Sequence, residues 1–262
     1  MKVSIIIPVY NSEEIIDKLI IEIQKILNST NYEIILVNDF SIDKSWLKIR
    51  EICKNNINVK GINLNKNYGQ HNAIMAGLNF CSGKIIVIMD DDFQHPPVSI
   101  LKLIDKINEG YELCYTKYIN RQHSYYKIVL SELGNIISSI IIDKPFSLYF
   151  SSFKCMRSDL KDKLIIIKNP NIYIDAFLLK LTKKTTSINI NHQKRHSGKT
   201  NYSLKKLFIL WLNLTLVSSI YPYRISSLLI IFVKLIVSPF MIYRNFSNNI
   251  NKVQYEIKEK IF

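Results

Sequence analysis

Over its first 120 residues the chain alternates short, nearly continuous apolar runs with longer stretches whose apolar residues recur every three or four positions. The runs cover residues 3–7, 33–37, 59–64, 84–89 and 111–115, a strand-like length. Between the first two, Ile16, Leu19, Ile20, Ile23, Ile26 and Leu27 share one helical face. Asn11 or Ser12 is expected to cap that helix, with Glu13 and Glu14 in its first turn. Further helices are predicted over 45–52, 71–80 and 97–107. Consecutive strands separated by a helix run parallel, because a hairpin has no room for the crossover. The prediction is an α/β fold, a mainly parallel sheet flanked by helices. The run at 84–89 is apolar enough for burial on both faces.

The second half reads differently. Tyr126, Val129, Leu130, Leu133, Ile137, Ile140 and Ile141 have helical spacing, which suits a core helix or one lying on a membrane. Residues 207–221 are strongly apolar and stop at Pro222. Residues 225–243 are just long enough to span a bilayer, at the expense of placing Lys234 inside it. The expected division is a folded domain over 1–204, an apolar membrane-associated segment over 205–244 and a polar tail over 245–262. Within the domain the pattern changes after residue 118, which divides it into 1–118 and 119–204. The first apolar run ends at Pro8 and is too short for a signal peptide, so the N-terminal half is expected in the cytoplasm. Cys53, Cys81, Cys114 and Cys155 form no CxxC pair and read as small buried residues.

Three polar clusters follow three of the strands: Pro8-Val9-Tyr10-Asn11, Asn38-Asp39-Phe40-Ser41 and Asp90-Asp91-Asp92-Phe93-Gln94. A parallel sheet gathers all its strand ends on one edge, where ligands bind. Three successive carboxylates repel one another unless a cation sits beside them, and Mg²⁺ or Mn²⁺ takes oxygen ligands from one or two carboxylates plus substrate phosphates. In an extended stretch Asp90 and Asp92 face one way and Asp91 the other. Taken alone, the cluster reads equally as a solvated acidic turn before the helix at Pro97. No GxGxxG and no GxxxxGK[ST] occurs, which disfavours a dehydrogenase or a P-loop enzyme.

These clusters carry a resemblance. The opening VSIIIPVYN is similar to that of family 2 glycosyltransferases of GT-A fold. Asn38-Asp39-Phe40-Ser41-Ile42-Asp43 resembles their DDGSxD segment, with Asn and Phe in place of the first Asp and the Gly. Asn65-Lys66-Asn67-Tyr68-Gly69, with Ala73 and Gly77, is similar to RNxGxxxAxxxG. Met89-Asp90-Asp91-Asp92-Phe93-Gln94-His95-Pro96-Pro97 resembles the long MDADLQxPP form of the DXD motif, which marks the polyprenyl-phosphate branch. Arg195-His196-Ser197-Gly198-Lys199-Thr200-Asn201-Tyr202-Ser203 and Pro222-Tyr223-Arg224 are similar to that branch's RxxGxSxYS and PLR segments. The branch usually has two C-terminal spans, whereas this sequence offers at most one clear candidate.

The resemblance implies that 1–204 is the catalytic domain, with 1–118 its nucleotide-binding half and 119–204 its acceptor half, that Pro8, Tyr10, Asn11 and Glu13 line the nucleotide pocket and that Asp39 hydrogen-bonds the base. Asp90 and Asp92 would hold the sugar and an Mg²⁺ or Mn²⁺ diphosphate, with Asp91, Gln94 and Gly198 also touching substrate. Arg195 and Lys199 would close over the phosphates and, with Asp92, stabilise the leaving group. Asp175 is the candidate base by order along the chain, or else an acceptor for a neighbouring basic or backbone group. The implied function is sugar transfer from a nucleotide-sugar to a polyprenyl phosphate at the cytoplasmic membrane face. Transfer to a sugar hydroxyl in cell-surface polysaccharide assembly is the alternative. The formal charge of +14 suits either a phosphorylated substrate or an anionic membrane. It also admits a non-catalytic nucleic-acid binder, but the acidic cluster and the lack of a nucleic-acid-binding signature argue against one.

Overall fold

A computed structural model of the chain describes residues 1–119, 135, 139, 145–146, 148–170, 172–191 and 253–262. The sequence-predicted loop at 195–203, the apolar segment at 205–244 and most of the helix at 124–142 lie outside the described residues. Among the described residues no helix is long and apolar enough to cross a membrane.

The described elements run β1 (Val3–Val9), α1 (Ile16–Ile26), β2 (Tyr32–Asn38), α2 (Ser45–Asn55), β3 (Val59–Leu64), α3 (Gln70–Leu78), β4 (Ile85–Ile88), α4 (Ser99–Asn108) and β5 (Leu113–Ile119). They continue with β6 (Lys154–Arg157), α5 (Ser158–Leu164), α6 (Ile174–Leu181), β7 (Thr185–Asn191) and β8 (Ile257–Ile261). All eight strands form one sheet, ordered β7-β5-β6-β4-β1-β2-β3-β8. β6 is antiparallel to β4 and β5, and β8 is antiparallel to β3; the other neighbours are parallel. Two apolar layers cover the sheet. Ile5, Ile7, Leu36 and Val87 pack against α1, α2 and α4, while Ile6, Ile35, Val37, Ile86 and Ile88 pack against α3, α5 and α6. A Cβ on Gly77 would come within 2.6 Å of the Ile6 side chain, so its bare backbone lets α3 lie close to β1.

β1 to β4 lie where the apolar runs place them, β5 begins and ends later than the run at 111–115, and residues 85–89 are buried with side chains in both layers, while Lys84 is exposed. The first helix starts later than expected, at Ile16 rather than after Ser12, with no side-chain cap. Its expected caps are engaged elsewhere: Asn11 accepts from the Ile42 amide and Ser12 donates to Asp91. The tail at 245–262 contains a strand that composition hides. Leu64 pairs with Ile257 but Asn63 with Glu259, so β8 holds one extra residue there. That bulge flips the alternation. Ile257 then joins the α3 layer, while Glu259 reaches Trp46 Nε1 on the α2 side at 3.0 Å and Ile261 packs there too.

At the N-terminal edge of the sheet, buried Glu33 joins four strand starts. It accepts from Ser4 Oγ at 2.6 Å, the Ser82 amide at 2.6 Å, Lys2 Nζ at 2.9 Å and Lys60 Nζ at 2.8 Å. Burial by itself would raise the Glu33 carboxyl; the lysines, Ser4 and the Ser82 amide outweigh it and hold the group well below the usual carboxylate range. Its folded pKa thus lies below the unfolded one. The stabilisation is complete above about pH 4.3 and is lost as pH falls through the acid range. Glu33→Gln is expected to lower stability at pH 7 by about 3 kcal/mol, and the gap from wild type should narrow toward pH 3. Urea unfolding at the two pH values measures both effects.

Candidate active site

The sheet order reverses around β1: β2 and β3 follow on one side, β4 on the other. Pairing of β1 with β4 ends at Ile6 and Ile88, whereas pairing with β2 continues to Val9 and Asn38. Ile6 accepts from the Met89 amide and Val9 from the Asp39 amide. Alternation along the strand therefore turns the Pro8 backbone toward the side where β4 has already ended. A proline fits there because no ladder partner is missing a donor. The crevice that opens between β1 and β4 is where ligands settle in sheets of this kind.

Asp91 spans this crevice. Its Oδ2 accepts from the Tyr10 amide at 3.2 Å and from Ser12 Oγ. Ser12 in turn receives Ser45 Oγ on its amide side, donating N–H to it at 2.8 Å. Asp90 points elsewhere: Oδ1 accepts from Gln70 Nε2 and Oδ2 from Ser152 Oγ, both at 2.6 Å. Asp92 is buried, and its Oδ1 accepts from the Gln94 amide at 3.0 Å. The chain bends over 91–93, with Phe93 left-handed at φ 60°, so the alternation of an extended stretch does not hold there. Among the described residues no three His, Cys, Asp or Glu side chains converge on a closed cation cage. What the cluster offers is an open, oxygen-only donor set.

Several residues that sequence reasoning passed over support this cluster. His95 is 2% exposed; its Nδ1 accepts from the Asp90 amide at 3.2 Å, which leaves the ring proton on Nε2, 3.4 Å from Ser152 Oγ. The imidazole stacks with Phe153, ring centroids 4.9 Å apart, and with Tyr118, at 6.1 Å. Burial lowers its pKa, so it is neutral near pH 7. Ser152 arrives beside Asp90 because β6 runs antiparallel to β4 and enters the sheet at this edge. His95 was within reach of the sequence as part of the aspartate motif; Ser152 carries no sequence signal.

The predicted pocket residues lace the loops to one another. Asn11 (φ 56°) donates its amide to Ser41 Oγ at 3.0 Å and accepts from the Ile42 amide at 2.9 Å. Glu13 accepts from the Lys44 amide at 2.7 Å, and its own amide donates to Asp43 at 3.1 Å. Both Asp39 carboxylate oxygens accept backbone amides, Tyr68 at 2.7 Å and Gly69 at 2.8 Å. Burial raises the Asp39 pKa against those two bonds. Tyr10 stands 42% exposed on the rim. Asp175 is on α6, 4% exposed, ion-paired with buried Lys154 and accepting from Tyr115 Oη at 3.0 Å. Arg195, Gly198 and Lys199 lie outside the described residues.

Desolvation chiefly, with Asp90 and Asp92 adding repulsion, pushes the Asp91 carboxyl up to about 7 despite its bonds from Ser12 and Tyr10. A folded pKa above the unfolded one means the native state holds a proton that the unfolded state releases. Asp91 therefore subtracts stability as pH rises from about 4 to 7. In metal-free buffer, Asp91→Asn is expected to be more stable than wild type at pH 8 by about 2 kcal/mol, with little difference at pH 4. Thermal melts across that range give the comparison.

Residues 4–171 match the sequence profile described as Glycosyl transferase family 2. The undecaprenyl-phosphate 4-deoxy-4-formamido-L-arabinose transferase of Yersinia pestis (strain Pestoides F) is 34% identical over 231 residues, covering 87% of this chain and 70% of the relative. The protein of the same description from Yersinia pseudotuberculosis serotype O:3 matches equally. In overall fold the chain is similar to glucosyl-3-phosphoglycerate synthase from Mycobacterium tuberculosis, solved with Mn²⁺, uridine diphosphate and glucosyl-3-phosphoglycerate. The TM-score is 0.60 at 18% identity, over 81% of this chain and 78% of that one. S. aureus TarS is similar at a TM-score of 0.51 and 22% identity, over 72% of this chain and 58% of that one. The sheet with its split between β1 and β4 is thus a GT-A-like fold, and the chain belongs to glycosyl transferase family 2, on the polyprenyl-phosphate branch of that family.

Proposed function

We propose that this glycosyltransferase moves a sugar, with inversion, from a nucleotide-sugar to the phosphate of an undecaprenyl-type lipid at the cytoplasmic face of the membrane. The observation that carries the reading is the Asp90–Asp92 cluster in the crevice beside Tyr10 and Asp39, in a chain 34% identical to undecaprenyl-phosphate sugar transferases. The catalytic unit would be residues 1–204, with 1–118 taking the donor and 119–204 the acceptor, and 205–244 would associate with the membrane.

Transfer forms a bond between an acceptor oxygen and the anomeric carbon while the bond to the donor's diphosphate breaks on the opposite face. Asp90 and Asp92 would hold Mg²⁺ or Mn²⁺; the open oxygen donor set fits an ion that completes its shell with substrate phosphates. Such an ion, when bound, supplies positive charge at the leaving diphosphate. Gln70 and Ser152 fix the Asp90 carboxylate from both sides, and His95 holds its backbone. Asp39 shapes the base pocket through the amides of Tyr68 and Gly69, and Tyr10, Asn11, Glu13 and Gln94 complete the lining. Arg195 and Lys199, with Gly198 between them, would bring cationic charge to the phosphates.

The surroundings of Asp175 support a phosphate acceptor. A general base must reach the nucleophile with a free lone pair, yet Asp175 is buried in an ion pair with Lys154. A phosphate monoester, with a second pKa near 6, is already ionised at pH 7 and needs no base. With purified protein, undecaprenyl phosphate in detergent and a panel of radiolabelled nucleotide-sugars, label is expected in the organic phase for one donor. None should enter the matching polyprenol that lacks phosphate. Asp92→Asn should reduce transfer by at least about 10²-fold. Label that reaches a glycan hydroxyl but never the lipid would overturn the reading.

A further inference from the structure

Among the described residues three other than glycine adopt a left-handed backbone, and each follows a strand at the ligand edge: Asn11 after β1, Phe40 after β2 and Phe93 after β4. Two are accounted for. Asparagine tolerates this region, and Asn11 gains a bond from the Ile42 amide at 2.9 Å. Phe93 is 7% exposed and packs in the layer beneath α4, so burial offsets its strain. Phe40, at φ 61°, has neither compensation. Its ring is 46% exposed and belongs to neither apolar layer.

The backbone around Phe40 is held from both sides. The Asp39 amide donates to Val9 and the Asp39 carbonyl accepts from Asn67 Nδ2 at 3.2 Å. Ser41 donates through its hydroxyl to Asn38 Oδ1. An uncompensated bulky residue in an over-determined loop is the pattern in which strain is kept for a ligand. Position limits what that ligand is. Phe40 and Tyr10 stand at the ends of adjacent strands, both exposed, flanking the buried Asp39. The aspartate cluster follows β4, two strands from β2 across β1. Two strand spacings are about 10 Å, the reach from a nucleotide's diphosphate across its ribose to its base.

We infer that the Phe40 ring is a platform on which the donor's nucleobase rests, and so a determinant of nucleotide choice. The inference rests on the nucleotide-sugar reading above. The tests are calorimetric titrations of the full chain with UDP, GDP and inorganic pyrophosphate, each in the presence of Mn²⁺. Phe40→Gly relieves the backbone, so its melting temperature is expected to rise by about 2–4 °C. Its affinity for whichever nucleotide binds more tightly should fall roughly 10-fold or more, while pyrophosphate binds as to wild type. Phe40→Trp should keep the nucleotide affinity. Nucleotide affinity unchanged in Phe40→Gly would overturn the inference, as would equal weakening of nucleotide and pyrophosphate. So would a loss confined to the lipid acceptor's KM, which would put the ring against the acceptor. A wild-type chain that binds neither nucleotide would remove the donor reading itself, a result distinct from all of these.

Discussion

Glu33 lies buried at the edge of the sheet opposite the site, with Lys2, Lys60, Ser4 and Ser82 around its carboxylate. Those residues start β1, β2 and β3 and precede β4, the strands whose far ends carry the site. Parallel strands lack the tight turns that set register in hairpins, so register has to come from side chains. A one-residue slip of β1 would move Tyr10 and Ser12 away from Asp91 and put Ser4, the one polar residue among its first five, into an apolar layer. The carboxylate is well served: two cations and three neutral donors replace its lost hydration, which is what a buried charge requires. The loops at the opposite edge can then carry unfavourable features, including repelling carboxylates and left-handed phenylalanines, without the sheet bearing the consequence.

At the ligand edge the polar residues divide into those that hold the loops together and those left for a ligand. Asn11, Glu13, Asp39, Asp43 and Ser45 link the loops after β1, β2 and β3 through main-chain amides. Tyr10 stands exposed at the rim of the crevice, and the aspartates after β4 border it while accepting bonds from their surroundings. Preorganisation of this kind matters for a transfer whose chief demand is stabilising charge on a departing diphosphate, since donors fixed beforehand need no reorganisation.

The sequence made much of this legible. Continuous apolar runs located β1 to β4, because strands covered on both faces leave little room for polar residues, and marked only the start of β5. The clusters after β1, β2 and β4 were found because a parallel sheet must collect its strand ends. What escaped notice has physical reasons. β6 has only four residues, Lys-Cys-Met-Arg, and its lysine is 1% exposed because Asp175 pairs with it, so its composition does not read as a core strand. Ser152 is near Asp90 solely because that strand runs antiparallel. The pairing of Asp175 with Lys154 could not be read from the sequence, because only the fold brings the two together. β8 was hidden by its bulge, which breaks the alternation a strand search relies on.

The position of β8 has a consequence for how this chain can be arranged in space. β7 ends at Asn191 near one margin of the sheet, and β8 is the strand at the other. The sixty-odd residues between Asn191 and Val253 thus leave one folded body and come back to it. A path that starts and finishes in the same compartment crosses any bilayer it meets an even number of times, zero included. Any membrane contact made between these two strands would therefore have to be a closed circuit, with the last strand of the sheet as its return.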